Sequence, residues 1–258
     1  MTEPLKVVIT GASSGLGRAL AEEYARRGAT LGLIARRGEL LRKLAASLPV
    51  RSHVYEADVR DAGALAECAG DFVGQAGCPD IVIANAGVSA GTDTASAADN
   101  AVFDEILSVN VVGMMLTFQA FLAPMHGRGR GTLAGVASVA GFRGMPGASA
   151  YCASKAAAIS YLESLRIELR GSGLQVVTLC PGYIDTPMTA VNRYRMPFLI
   201  TAEHAARAMV RAVDRGRRFH VLPWQMALAA RLMRLLPPPL FDRAFARAPR
   251  KPRRQSPQ

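Results

Sequence analysis

The sequence predicts an α/β fold: a doubly wound parallel sheet of about seven strands with helices on both faces, continued by a C-terminal helical extension. Three observations carry this prediction. Short apolar runs alternate with longer segments of helical spacing along most of the chain. The short runs are continuously apolar, as strands buried on both faces are, rather than alternating with polar residues. No linker or internal repeat interrupts the pattern before about residue 222, so 1–222 reads as one domain, 223–246 as an amphipathic helical extension and 247–258 as a basic tail.

In chain order, "LKVVIT" is the first strand, and "LGRALAEEYARRG" follows as a helix, with Leu16, Leu20 and Tyr24 at helical spacing and Gly28 at its end. "TLGLIA" is the second strand, with the helix "ELLRKLAASL" behind it, closed by Pro49. "SHVYEA" and "DIVIA" are the third and fourth strands, separated by the helix "AGALAECAGDFVGQAG". Residues 101–123 read as one long apolar helix that stops near Pro124. "GTLAGVAS" is the fifth strand, "SAYCASKAAAISYLESLRIELRG" a helix, and "LQVVTLC" the sixth strand, stopped by Pro181. "AEHAARAMVRAVDRG" and "RFHVLP" complete the series as a helix and a seventh strand.

Composition narrows the function classes. The 258 residues are half hydrophobic and 6% aromatic, which suits a packed domain and argues against disorder. No run reaches the roughly 20 apolar residues of a membrane span, and the start lacks the charged and apolar regions of a signal peptide, so a cytoplasmic protein is expected. The four cysteines and four histidines are scattered without ligand spacing, which supports reduced thiols and no metal site. Net charge is +11, and six basic residues fall in the last stretch: Arg243, Arg247, Arg250, Lys251, Arg253 and Arg254. Without them the rest carries +5, so the excess belongs largely to a tail read as a solvated, disordered end, and nucleic acid is not the expected partner.

Between the first strand and first helix lies "TGASSGLGRA". Gly11 permits a tight exit from the strand, Gly15 lets backbone approach a phosphate, and Gly17 lets the helix pack on the sheet. The helix N-terminus offers free N–H groups to a pyrophosphate, so a dinucleotide site is expected. The second strand ends in Ala35, Arg36 and Arg37, with no acid to take a ribose 2′-hydroxyl. Arginine suits a 2′-phosphate, which makes NADP(H) the expected cofactor over NAD(H), although two arginines also fit a solvated loop.

Tyr151 and Lys155 stand four residues apart, one helical turn, amid Ala150, Ala153, Ser154, Ala156 and Ala157. An ammonium beside a phenol stabilises its anion and lowers its pKa, which makes a proton donor and acceptor. Alone, the pair also fits a helix with one buried tyrosine and one solvated lysine; the rest of the chain decides.

The ordered set "TGASSGLG", Asp58-Val59, Asn85-Ala86-Gly87, Asn110 in "SVNVVG", Ser138 in "VASVAG", "YCASK" and "PGYIDT" resembles the short-chain dehydrogenase/reductase family over roughly residues 5–222. The resemblance implies a Rossmann-type fold and hydride transfer between nicotinamide and a carbonyl or secondary alcohol. It implies Tyr151 as acid/base and Lys155 depressing its pKa while holding the nicotinamide ribose. Ser138 would bond the substrate oxygen, and Asn110 would anchor a water that relays protons through Lys155. The loop from Gly11 to Gly17, with Ser13, Ser14 and Leu16, would take the pyrophosphate, and Arg36 and Arg37 the 2′-phosphate. Asp58 and Val59 would border the adenine, Asn85, Ala86 and Gly87 the adenine ribose, and Pro181, Gly182, Ile184 and Thr186 the nicotinamide. Two departures stand out: Ala84 replaces the first of a usual asparagine pair, and Ser13 and Ser14 stand where many NADP-preferring relatives carry a basic residue. The resemblance also implies a homodimer or homotetramer paired through helices 101–123 and 149–170.

Two further readings stay open. A non-catalytic NADP-binding regulator would share the fold without needing Ser138, Tyr151, Lys155 and Asn110 together. In the extension, Met226, Ala229, Ala230, Met233 and Leu236 fall near one helical face with Arg231 and Arg234 beside it. That face either lies on an anionic membrane surface, which would favour a lipophilic substrate, or packs over the substrate cleft or a partner subunit.

Overall fold

The computed structural model describes residues 3–253. The chain runs β1 (Lys6–Thr10), α1 (Gly15–Arg26), β2 (Thr30–Ala35), α2 (Gly38–Ser47), β3 (Ser52–Glu56), α3 (Ala62–Ala76) and β4 (Ile81–Ala84). It continues through α4 (Asn100–Leu107), a π-helical segment Ser108–Val112, α5 (Gly113–Arg128), β5 (Gly131–Val136), α6 (Ser149–Glu168) and β6 (Leu174–Pro181). A short excursion follows, β7 (Ile184–Asp185), α7 (Pro187–Ala190) and β8 (Ile200–Thr201), and then α8 (Ala202–Asp214) and β9 (Phe219–Leu222). Two helices end the fold, α9 (Trp224–Leu235) and α10 (Pro238–Phe245).

The main sheet has seven strands in the order β3-β2-β1-β4-β5-β6-β9, and every pairing is parallel. The continuous apolar strands have the origin expected for such a sheet. Val7 and Ile9 of β1 point into the layer built by α1, α2 and α8, while Val8 points into the layer built by α3, α5 and α6. Neighbouring residues thus bury on opposite faces, so neither set can be polar. The order reverses between β1 and β4, and the crevice beyond the carboxyl ends of these strands is where a doubly wound sheet takes its ligand.

The structure departs from the sequence reading in four places. The helix expected to stop near Pro124 continues to Arg128 with Pro124 inside it. Phe121 and Met125, both fully buried on either side of the proline, hold the turn against a local cost of about 3 kcal/mol. That helix is also interrupted at Ser108–Val112, a break the sequence did not announce. The whole run Ala97–Arg128 is long and apolar enough to cross a membrane, contrary to expectation, yet α5 lays Met114, Phe118 and Phe121 into the core. Within the expected disordered tail, residues 251–253 lie back on the loop after β4, whereas Arg254 and the residues after it lie outside the described range.

Candidate active site

The glycine loop turns tightly at Gly11, whose φ of +67° is open to few other residues and whose N–H donates to the Ile34 carbonyl at 2.8 Å. A Cβ on Gly11 would come 2.8 Å from Ala86 Cα, and one on Gly17 would overlap the Gly11 carbonyl oxygen. Asn85 clamps this turn from the next strand. Its side-chain nitrogen donates to the Thr10 carbonyl at 3.0 Å, while the N–H groups of Asn85 and Ala86 donate to the Thr10 hydroxyl at 3.1 and 3.2 Å. Thr10 was not singled out in the sequence; a threonine ending a buried strand was its only signal.

These residues fit a dinucleotide. Helix α1 starts at Gly15 with no side-chain cap and no acid in its first turn, so its leading N–H groups face a cleft of about 450 Å³. Every residue expected to hold the cofactor lines that cleft, as do Ser138, Tyr151 and Lys155. Asn110 alone of the expected residues stands behind the wall. At the adenine end, Arg37 donates to the Ser13 and Ser14 hydroxyls at 3.1 and 2.7 Å, and Arg36 stands half exposed, 3.9 Å from Asp58. Arg60, which the sequence reading missed, pairs with Asp58 at 2.6 Å and holds its carboxyl below the usual range.

At the other end, β5 delivers Ser138 and α6 delivers Tyr151 and Lys155. Ser138 accepts from Ala140 N–H at 3.1 Å and donates to the Pro181 carbonyl at 3.3 Å, which orients its oxygen at the strand end. Burial pushes the Tyr151 phenol up to about 12, opposed by a hydrogen bond with Ser138. Lys155 Nζ is 5.8 Å from the Tyr151 ring centroid and donates to the Val136 carbonyl at 2.9 Å, and burial pulls its pKa down to about 8.

Asn110 is fully buried. Its Oδ1 accepts from Val88 N–H at 2.8 Å, and its Nδ2 donates to Val88 O at 3.0 Å and to the Ser154 hydroxyl at 2.9 Å. Ser154 donates in turn to the Tyr151 carbonyl at 2.8 Å. Asn110 thus ties the π segment, the loop after β4 and the start of α6 together. Ser154 is a second residue the sequence reading used only for its small size.

The extension reaches this site. A Cβ on Gly182 would lie 2.7 Å from Met226 Cγ, so α9 packs directly on the loop after β6. Arg143 donates to the Met233 and Leu236 carbonyls at 3.1 and 3.0 Å and covers the Phe241 ring at 3.9 Å. Of the two readings left open for the face of Met226, Ala229, Ala230, Met233 and Leu236, the structure takes the packed one: it turns inward through Met226 and Ala230. Trp224, Leu228, Leu232, Leu235 and Leu240 form a different, exposed set.

A parallel doubly wound sheet with a glycine cradle and a Ser-Tyr-Lys cluster at one mouth defines a class of dinucleotide-dependent oxidoreductase. Comparison with known proteins bears this out: residues 5–196 match the family model for short chain dehydrogenase, and the chain belongs to that family. An uncharacterized oxidoreductase of Myxococcus xanthus is 42% identical over 243 residues, covering 93% of this chain and 96% of that protein. A short-chain dehydrogenase structure from Streptomyces avermitilis superposes with a TM-score of 0.78 at 25% identity, covering 89% of this chain and 93% of its own. An alcohol dehydrogenase from Thermococcus sibiricus, complexed with 5-hydroxy-NADP, superposes with a TM-score of 0.75 at 26% identity, covering 85% and 96%.

Proposed function

We propose that the protein is an NADP(H)-dependent oxidoreductase acting on a carbonyl or secondary alcohol group, with Ser138, Tyr151 and Lys155 at the reacting centre and Asn110 positioning them. The observation that carries the reading is their convergence, on two separate elements, at one end of the glycine-loop cleft. A bound nicotinamide supplies or accepts the hydride. Ser138 and Tyr151 both line the mouth of the cleft, so a carbonyl oxygen that reaches both receives their two hydroxyls. As negative charge develops on that oxygen, Tyr151 gives up its proton. The Lys155 ammonium stands near enough to stabilise the phenolate that remains.

The preference for NADP(H) rests on the absence of an acid at the end of β2 and on Arg36 and Arg37 in its place. The solved relative from Thermococcus sibiricus, complexed with an NADP derivative, supports it.

The proposed setting is cytoplasmic, with the exposed face of α9 and α10 lying on an anionic membrane surface. Trp224 is 70% and Leu235 79% exposed, and Arg231, Arg234 and Arg243 are exposed around them. Self-association through α4, α5 and α6 would cover Phe103, Val112 and Ile167, which are exposed in the single chain.

The test of the activity is Tyr151→Phe, which keeps the ring packing and removes the proton. Reduction of a ketone or aldehyde with NADPH, followed by absorbance, should fall by about 10² or more, while NADPH binding persists. Near-normal turnover by the Phe variant would overturn the assignment.

A further inference from the structure

From α10 to Arg253 the chain stays on the surface. It turns back over the loops that follow β4 and β5 and forms a strap. Gly91 N–H donates to the Pro252 carbonyl at 2.9 Å, and Gly91 and Arg253 pair as a parallel bridge. Arg253 Nε lies 2.9 Å from the buried Asp99 carboxylate, and its guanidinium donates to the Ser96 hydroxyl at 2.7 Å. Two glycines make room for it: a Cβ on Gly91 would overlap the Lys251 carbonyl, and one on Gly147 would lie 2.8 Å from Arg250 Cβ. This seat brings Lys251 beside Tyr151. Its Nζ stands 5.8 Å from the Tyr151 ring centroid, the same distance as that of Lys155.

The two ammonium groups differ in one respect. Lys155 is satisfied by the Val136 carbonyl, whereas the Lys251 ammonium has no carboxylate or carbonyl partner among the described residues. Burial alone acts on it and draws its pKa down to about 8, so it is still mostly protonated at neutral pH. A cation taken partly out of water without a counter-ion is a cost, which the Arg253–Asp99 pair and the backbone bond of the strap offset. The group that would make good this deficit is an anion arriving beside Tyr151.

We propose that Lys251 is a substrate-binding residue, receiving a carboxylate or equivalent anionic group on the same molecule whose carbonyl oxygen lies against Tyr151 and Ser138. The substrate class is then an oxo acid with its anion a few atoms from the reacting carbon. The assignment of the reacting carbonyl rests on the activity proposed above; the assignment of the anion rests on the strap.

The test sets oxo acids, with the carboxylate about two to four carbons from the ketone, beside their methyl esters for the parent, Lys251→Met and Lys251→Arg. Loss of one charge-assisted contact is worth about tenfold or more. The parent should favour the acids, Lys251→Met should lower the acid-to-ester ratio of kcat/KM by about that factor, and Lys251→Arg should retain part of it. Ligand-observed NMR titration of the same acids and esters reports binding without turnover and should show the same loss. An absent preference in the parent, or a ratio unmoved in the Met variant, overturns the assignment. If no oxo compound turns over with either cofactor, the activity reading fails and the titration decides Lys251 alone. Weaker acid binding in the Met variant then supports the site, and equal binding sinks it.

Discussion

Replacing Lys155 with methionine keeps a long unbranched side chain and removes its charge. In the fold this lysine is 4% exposed, and burial draws its pKa from 10.5 to about 8. At about 1.4 kcal/mol per unit, holding the charge at neutral pH costs the fold on the order of 3 kcal/mol. Methionine also forfeits the bond to the Val136 carbonyl, worth about 1 kcal/mol. The variant should therefore be more stable than the parent at pH 7, by about 1–3 kcal/mol, while losing activity. The pH dependence follows from the sign of the shift. Between about pH 8 and 10.5 the unfolded chain holds this proton and the native state releases it, so parent stability rises with pH relative to the variant. The advantage of methionine should be constant below pH 8 and shrink across that window. Urea unfolding at pH 7 and pH 10, at one protein concentration, measures the difference, and groups that titrate in both proteins cancel. A variant less stable than the parent at pH 7, or a gap unchanged at pH 10, would refute the reasoning.

Two further outcomes are expected. Arg36→Asp removes attraction for a 2′-phosphate and adds repulsion, so it should weaken NADPH at least about tenfold more than NADH; equal parent affinities for the two cofactors would remove the claim that Arg36 reads the phosphate. The parent should pellet with anionic vesicles at low salt and be released at high salt, and Trp224→Ser with Leu235→Ser should bind less; no parent binding removes the membrane proposal.

Much of the fold was legible because a parallel sheet demands continuous apolar strands, and the glycine loop lies where the first crossover requires it. The cleft was legible for the same reason: strand ends and helix starts fix Gly11, Arg36, Ser138 and Tyr151 in space. What the sequence concealed depends on tertiary packing. Pro124 stays helical only because Phe121 and Met125 are buried around it. The Tyr151 pKa depends on burial that no local spacing reveals. The apolar face of α9 was legible from its spacing, but which of its two readings holds was not: Trp224, Leu228 and Leu232 also fall at helical spacing, and Gly182 beneath Met226 decides which side turns in. The strap was missed because a run of arginines and prolines looks solvated unless its acceptor, Asp99, is known to wait 154 residues earlier.

The π segment at Ser108–Val112 has a consequence for how the chain can vary in length. An α-helical residue advances about 100° around the axis, so one residue more or fewer in a turn re-aims everything beyond it. Upstream, Ile106 meets Ala90 and Ala150 beside the loop after β4; downstream, Met114, Phe118 and Phe121 meet the sheet. A straight helix of the same letters could satisfy one set of contacts but not both. Regularising Ser108–Val112 to α-helix without removing a residue would swing one half by about 100° relative to the other, carrying Asn110 away from Val88 and Ser154, whereas the widened turn absorbs the additional residue and keeps both halves in phase. Residue spacing along this stretch is thus as much a component of the catalytic end as any side chain that projects from it.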